Sequence, residues 1–86
     1  MGYSVQYRKA AEKYLDSQTV KTQIRIMDAV DELPHGDVIK LKGRDGYRLV
    51  VGGHRVLFDY TGKFTEDGKS IIDVVTIGPR GDVYKK

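Results

Sequence analysis

The chain has 86 residues, 40% hydrophobic and 31% charged, with no cysteine and a net charge of +3. That length holds one domain with one core. The absence of cysteine excludes disulfides and thiolate metal sites, and no apolar run approaches the roughly 20 residues of a membrane span. The opening Met-Gly-Tyr-Ser-Val-Gln-Tyr lacks the basic-then-apolar layout of a signal peptide. A single domain over residues 1–86, in the cytoplasm, is expected.

Tyr3, Val5 and Tyr7 alternate with polar residues and suit a short strand. Residues 8–15 place Ala10, Ala11, Tyr14 and Leu15 on one side of a helix, and Asp16 and Ser17 are cap residues. A second helix is expected over residues 19–33. Val20, Ile24, Met27 and Val30 recur there at helical spacing, and Ile26, Ala29 and Leu33 widen the stripe. Pro34 stops it and His35-Gly36-Asp37 makes the turn. The two helices form a hairpin.

The period then changes. Residues 38–42 alternate weakly, and residues 47–51 and 54–60 flank Gly52-Gly53, a two-residue hairpin signal. Residues 62–69 read as a polar, exposed loop, and residues 70–77 as a buried strand rich in Ile and Val. The order is a strand, two helices, then three or four antiparallel strands. That is an α+β domain whose helical hairpin packs on one face of a small twisted antiparallel sheet.

A two-residue turn fixes the hairpin register. It pairs Val51 with His54, Val50 with Arg55, Leu49 with Val56, Arg48 with Leu57 and Tyr47 with Phe58. Alternation sends Tyr47, Leu49, Val51, Val56, Phe58 and Tyr60 to the core side. Arg48, Val50, Arg55, Leu57 and Asp59 go to the other face, with the two arginines one cross-strand diagonal apart. Charge supports interest in this region. Residues 40–55 carry five Lys/Arg against Asp45 alone, net +4, whereas residues 1–39 are net −1 and residues 56–86 net 0. A localised basic stripe is the footprint of a phosphate-backbone partner, and equally that of a solvated basic face. His35 belongs to a surface turn and His54 to a structural position at the start of a strand. Two isolated histidines without cysteine make no zinc site, and no metal or cofactor is expected.

The blocks I-K-L-K-G (residues 39–43), G-Y-R-L-V-V-G-G-H-R-V-L-F-D-Y (46–60) and I-I-D-V-V-T-I-G-P-R-G-D-V-Y-K (71–85) resemble the RelE/ParE superfamily of bacterial toxins. These are the toxin halves of type II toxin–antitoxin pairs. The resemblance covers essentially the whole chain and implies the fold read above. It further implies one of two activities. RelE-type members cut messenger RNA in the ribosomal A site; ParE-type members poison DNA gyrase and lack the RNase residues. By resemblance, Arg55 is the hairpin arginine at the scissile phosphate, Arg80 the C-terminal arginine and Tyr84 the C-terminal tyrosine. Arg48 lies in the strand where RelE enzymes carry acid–base lysines. Lys40, Lys42, Arg44, Lys85 and Lys86 are the further candidate RNA-binding cations. Gly78-Pro79-Arg80 departs from the Gly-His-Arg of many relatives.

Metal-independent RNA cleavage needs a base for the 2′-hydroxyl, cations for the phosphorane and an acid for the leaving 5′-oxygen. Arginine is a poor base and a good charge stabiliser. Tyr84 suits either proton transfer or stacking on a base. The expected protein is therefore a toxin and endoribonuclease whose partners are a cognate antitoxin, the ribosome and messenger RNA. The alternatives are a gyrase inhibitor, or a toxin fold that only binds its antitoxin.

Overall fold

The computed structural model describes residues 2–79. Its elements are β1 (Tyr3–Tyr7), α1 (Lys9–Asp16), α2 (Val20–Asp31), β2 (Val38–Lys40), β3 (Tyr47–Val51), β4 (His54–Phe64) and β5 (Ser70–Pro79). The strands form one sheet in the order β1-β5-β4-β3-β2. The α+β class and the helical hairpin are as expected. One pairing differs: β1 runs parallel to β5, with Val5 opposite Ile72, so the sheet is mixed and not purely antiparallel. No tight turn joins these two strands. The helices and three strands intervene, and a connection of that length permits a parallel neighbour.

The β3–β4 hairpin has the register that its turn dictates, from Val51 opposite His54 to Tyr47 opposite Phe58. Gly52 adopts φ +59°, which glycine reaches without strain. A Cβ there would also lie 3.2 Å from the Arg25 guanidinium. Gly52 therefore serves both the turn and the packing of α2 against it.

Alternation then builds the core. Leu49, Val56, Phe58, Ile72 and Val74 supply its sheet side, and Ala11, Leu15, Ile26, Val30 and Leu33 its helix side. Tyr7, Tyr14, Tyr47 and Tyr60 pack around it, half-buried. Each fully buried aliphatic or aromatic side chain contributes about 1.5–3 kcal/mol.

Three expectations change. The stripe on α2 divides: Ile26 and Val30 are buried, but Val20, Ile24 and Met27 are 70%, 54% and 42% exposed. Six apolar residues of α2 span more of the helix surface than one sheet can cover, and α2 rests on β1 and β3 through its other side. Ala10 is likewise exposed. The polar segment after Tyr60 is partly strand, because β4 continues to Phe64. Only residues 65–69 turn, tied by Thr65 N–H to the Lys69 carbonyl at 2.8 Å and by Lys69 N–H to Thr65 Oγ1 at 3.0 Å. Finally, Thr19 is the N-cap of α2 and accepts from Thr22 N–H at 3.2 Å, while Ser17 caps the end of α1.

Candidate nucleic-acid interface

The sheet face away from the helices is assembled by register. Arg48 lies opposite Leu57 and Val50 opposite Arg55, so the two arginines sit diagonally across β3 and β4. Ile39 lies opposite Arg48, and Gly78 opposite Arg55. Beneath the arginines, Leu57 is 4% exposed and forms a second apolar cluster with Leu41, apart from the main core. This floor holds both arginines half-buried. Arg48 Nε is buried and has no hydrogen-bond partner among the described residues. A buried donor of that kind calls for an acceptor. Two planar guanidinium groups over an apolar floor suit an oxyanion carried beside a flat apolar group.

The other cations distribute around this centre. Lys42 and Arg44 are exposed beyond β2, and with Ile39, Lys40, Leu41 and Arg48 they line a cavity of about 300 Å³. Lys40 borders this cavity, but its side chain turns to the other side of β2. It pairs with Tyr47, and its ammonium lies 5.1 Å from the Tyr47 ring on the helix side of the sheet. The alternation that puts Ile39 beside Arg48 necessarily turns Lys40 the other way. Arg80, Tyr84, Lys85 and Lys86 lie outside the described residues. The described chain ends with Gly78 opposite Arg55 and Pro79 opposite His54.

Sequence reasoning missed a polar group on the same face. Asp73 is 6% exposed, and Arg8 donates through Nε to its Oδ2 at 2.6 Å. Asp59 lies directly opposite Asp73 and accepts from Tyr60 N–H at 2.9 Å. Gln6, Arg8, Asp59, Thr61, Lys63 and Asp73 line a cavity of about 530 Å³. The signal was available: in Ile72-Asp73-Val74 strict alternation turns the aspartate outward. The outer face is thus cationic toward the β3–β4 turn and mixed in charge toward β1.

The histidines take the places expected of them. His35 is exposed, and His54 Nδ1 is 2.8 Å from the Tyr14 hydroxyl, which ties β4 to α1. Burial raises the Tyr14 pKa above that of an ordinary tyrosine. Among the described residues, no helix is long and apolar enough to cross a membrane.

A small twisted sheet backed by a helical hairpin is the architecture expected of the RelE/ParE superfamily. The archaeal RelE–RelB complex from Pyrococcus horikoshii OT3 contains a chain 30% identical to this one, at a TM-score of 0.66. The match covers 94% of this chain and 98% of that one. The chain belongs to the RelE/ParE toxin superfamily. No protein-family model matches it, and no curated protein does.

Proposed function

We propose that the chain is the toxin of a type II toxin–antitoxin pair and cleaves messenger RNA in the ribosomal A site. The observation that carries this reading is the diagonal pair Arg48 and Arg55, set half-buried over Leu57 with a buried Arg48 donor awaiting an acceptor. A phosphodiester supplies that acceptor, and the neighbouring base covers the apolar floor. In the reaction the 2′-oxygen bonds to phosphorus while the bond to the 5′-oxygen breaks. The 2′-hydroxyl proton leaves to a base, and the 5′-oxygen takes one up. Arg48, Arg55 and Arg80 carry the role of balancing the phosphorane charge. Arg80 follows Pro79 directly, and Pro79 pairs with the residue next to Arg55. Tyr84 contributes a hydroxyl and a ring to the same site. Lys42, Arg44, Lys85 and Lys86 attract the RNA backbone, with Lys40 at the sheet edge. The ribosome holds the RNA in place, which offsets a sparse acid–base set.

The partner reading rests on the relative, which was solved as a RelE–RelB complex. A cognate antitoxin is proposed here on that ground, and the cytoplasm as the compartment where ribosomes are found.

Primer extension on messenger RNA after induced expression tests the activity, with a gyrase supercoiling assay beside it. Cuts at A-site codons, absent in Arg55→Ala, are expected. Intact messenger RNA with inhibited supercoiling would assign the chain to the gyrase-poisoning branch. Undiminished toxicity of Arg55→Ala would remove the arginine site from the mechanism.

A further inference from the structure

Helix α2 breaks a local electrostatic rule. Helices favour acidic side chains in the first turn and basic ones in the last, where they oppose the macrodipole. Helix α2 has neither. It carries Lys21 near its N-terminus and Asp28 and Asp31 near its C-terminus, the reverse of the favoured order. The same helix leaves Val20, Ile24 and Met27 exposed at 70%, 54% and 42%. Their spacing of four and then three is that of successive core positions in a two-stranded coil. In that frame Lys21 and Asp28, seven apart, occupy the same flanking position. Beside the ridge, Tyr7, Glu12, Leu15, Asp16, Gln23 and Met27 line a cavity of about 370 Å³ between the helices.

We propose that this face binds its counterpart on a second copy of the chain, α2 against α2, antiparallel about a two-fold axis. The charge order selects that arrangement. In an antiparallel pair, like flanking positions meet, so Lys21 of each copy reaches Asp28 of the other. Ile24 of each copy layers on Met27 of the other. Both contacts occur twice, as an isologous interface requires. The two helix dipoles also run in opposite senses, so each basic N-terminus meets an acidic C-terminus. A parallel pair sets unlike flanking positions together, so Lys21 and Asp28 would not meet. The order that is unfavourable within one helix becomes favourable between two. A ridge of three side chains is short, so the dimer is weak and depends on concentration.

Sedimentation equilibrium of the purified full-length chain, run from micromolar to millimolar concentration, tests this. A monomer–dimer equilibrium is expected. Ile24→Glu should weaken it by about a hundredfold and Lys21→Glu by about tenfold. Lys21→Glu also corrects the clash with the macrodipole, so it should leave the fold as stable or more so by thermal melting. Lost association therefore cannot be put down to unfolding. Lys21→Glu combined with Asp28→Lys rebuilds the same pair in reverse and should restore the dimer. A monomer at every concentration overturns the proposal. So does a dimer indifferent to Ile24→Glu, or a double reversal that fails to recover association.

Discussion

On the helix side of β4, Val56 and Phe58 are 0% and 1% exposed and share a core with Ile26, Val30 and Ile72. One residue along, the other side of the strand carries Arg55 and Leu57, with Arg48 diagonal to the first and opposite the second. The helix side needs little beyond the chain itself: its apolar groups meet apolar groups. The outer side has a floor of Leu57 and Leu41 too small to be a core. It also holds a buried guanidinium nitrogen of Arg48 with no acceptor among the described residues. One face completes the fold, and the other carries the proposed site. Stability and activity should therefore respond to different residues of the same strand.

That separation can be broken by experiment. Phe58→Ala should cost about 3–5 kcal/mol in urea denaturation, because it empties the largest fully buried site. Arg55→Ala, three residues away, should change stability by less than about 1 kcal/mol while lowering cleavage by about 100- to 1000-fold. If Arg55→Ala unfolds the chain as Phe58→Ala does, the two faces are not separable. Leu57→Ala sharpens the contrast. Leu57 is buried on the outer face, so its loss should cost about 2 kcal/mol, at the lower end for a core leucine, and weaken cleavage by loosening the floor under the arginines. Smaller still is Arg8→Ala. It leaves Asp73, 6% exposed, without its guanidinium partner and should cost about 1–2 kcal/mol in denaturation.

Much of this was legible in the chain. Gly52-Gly53 fixed the hairpin register, and the register alone placed Arg48 and Arg55 on a shared face. Lys40, a candidate RNA-binding cation, takes the side of the sheet opposite the arginines. A basic run in sequence looks like one patch, but successive strand residues face opposite ways, and Lys40 went with Tyr47. The burial of α2 was not legible, because helical spacing shows that an apolar stripe exists and not which part of it the sheet covers. Val20, Ile24 and Met27 fit the pattern as well as Ile26 and Val30, yet α2 packs through the latter. The Arg8–Asp73 pair joins residues 65 positions apart, and only the parallel β1–β5 pairing brings them together.

Tyr7 is the place where the helix side is least complete, and it gives the smallest effect at neutral pH. Its ring packs against the core, but its hydroxyl is buried without a hydrogen-bond partner among the described residues. Removing an unpaired buried hydroxyl forfeits nothing, so Tyr7→Phe should leave stability unchanged or raise it by up to about 1 kcal/mol at pH 7. The larger signal lies in alkali. Burial, aided by the Asp31 carboxylate, pushes the Tyr7 pKa up to about 12 from an ordinary 10.0. The folded chain therefore holds this proton after the unfolded chain has released it. Stability is fully present below about pH 10 and falls as pH rises toward 12. Tyr14 and Tyr60, also raised by burial, push the same way, so the parent and Tyr7→Phe must be compared across the whole range. Urea denaturation between about pH 9 and 12 should show the parent losing stability more steeply than the variant. Parallel curves would mean that the hydroxyl reaches water and titrates alike in the folded and unfolded chain, so that Tyr7 is not sealed on the helix side as Phe58 is.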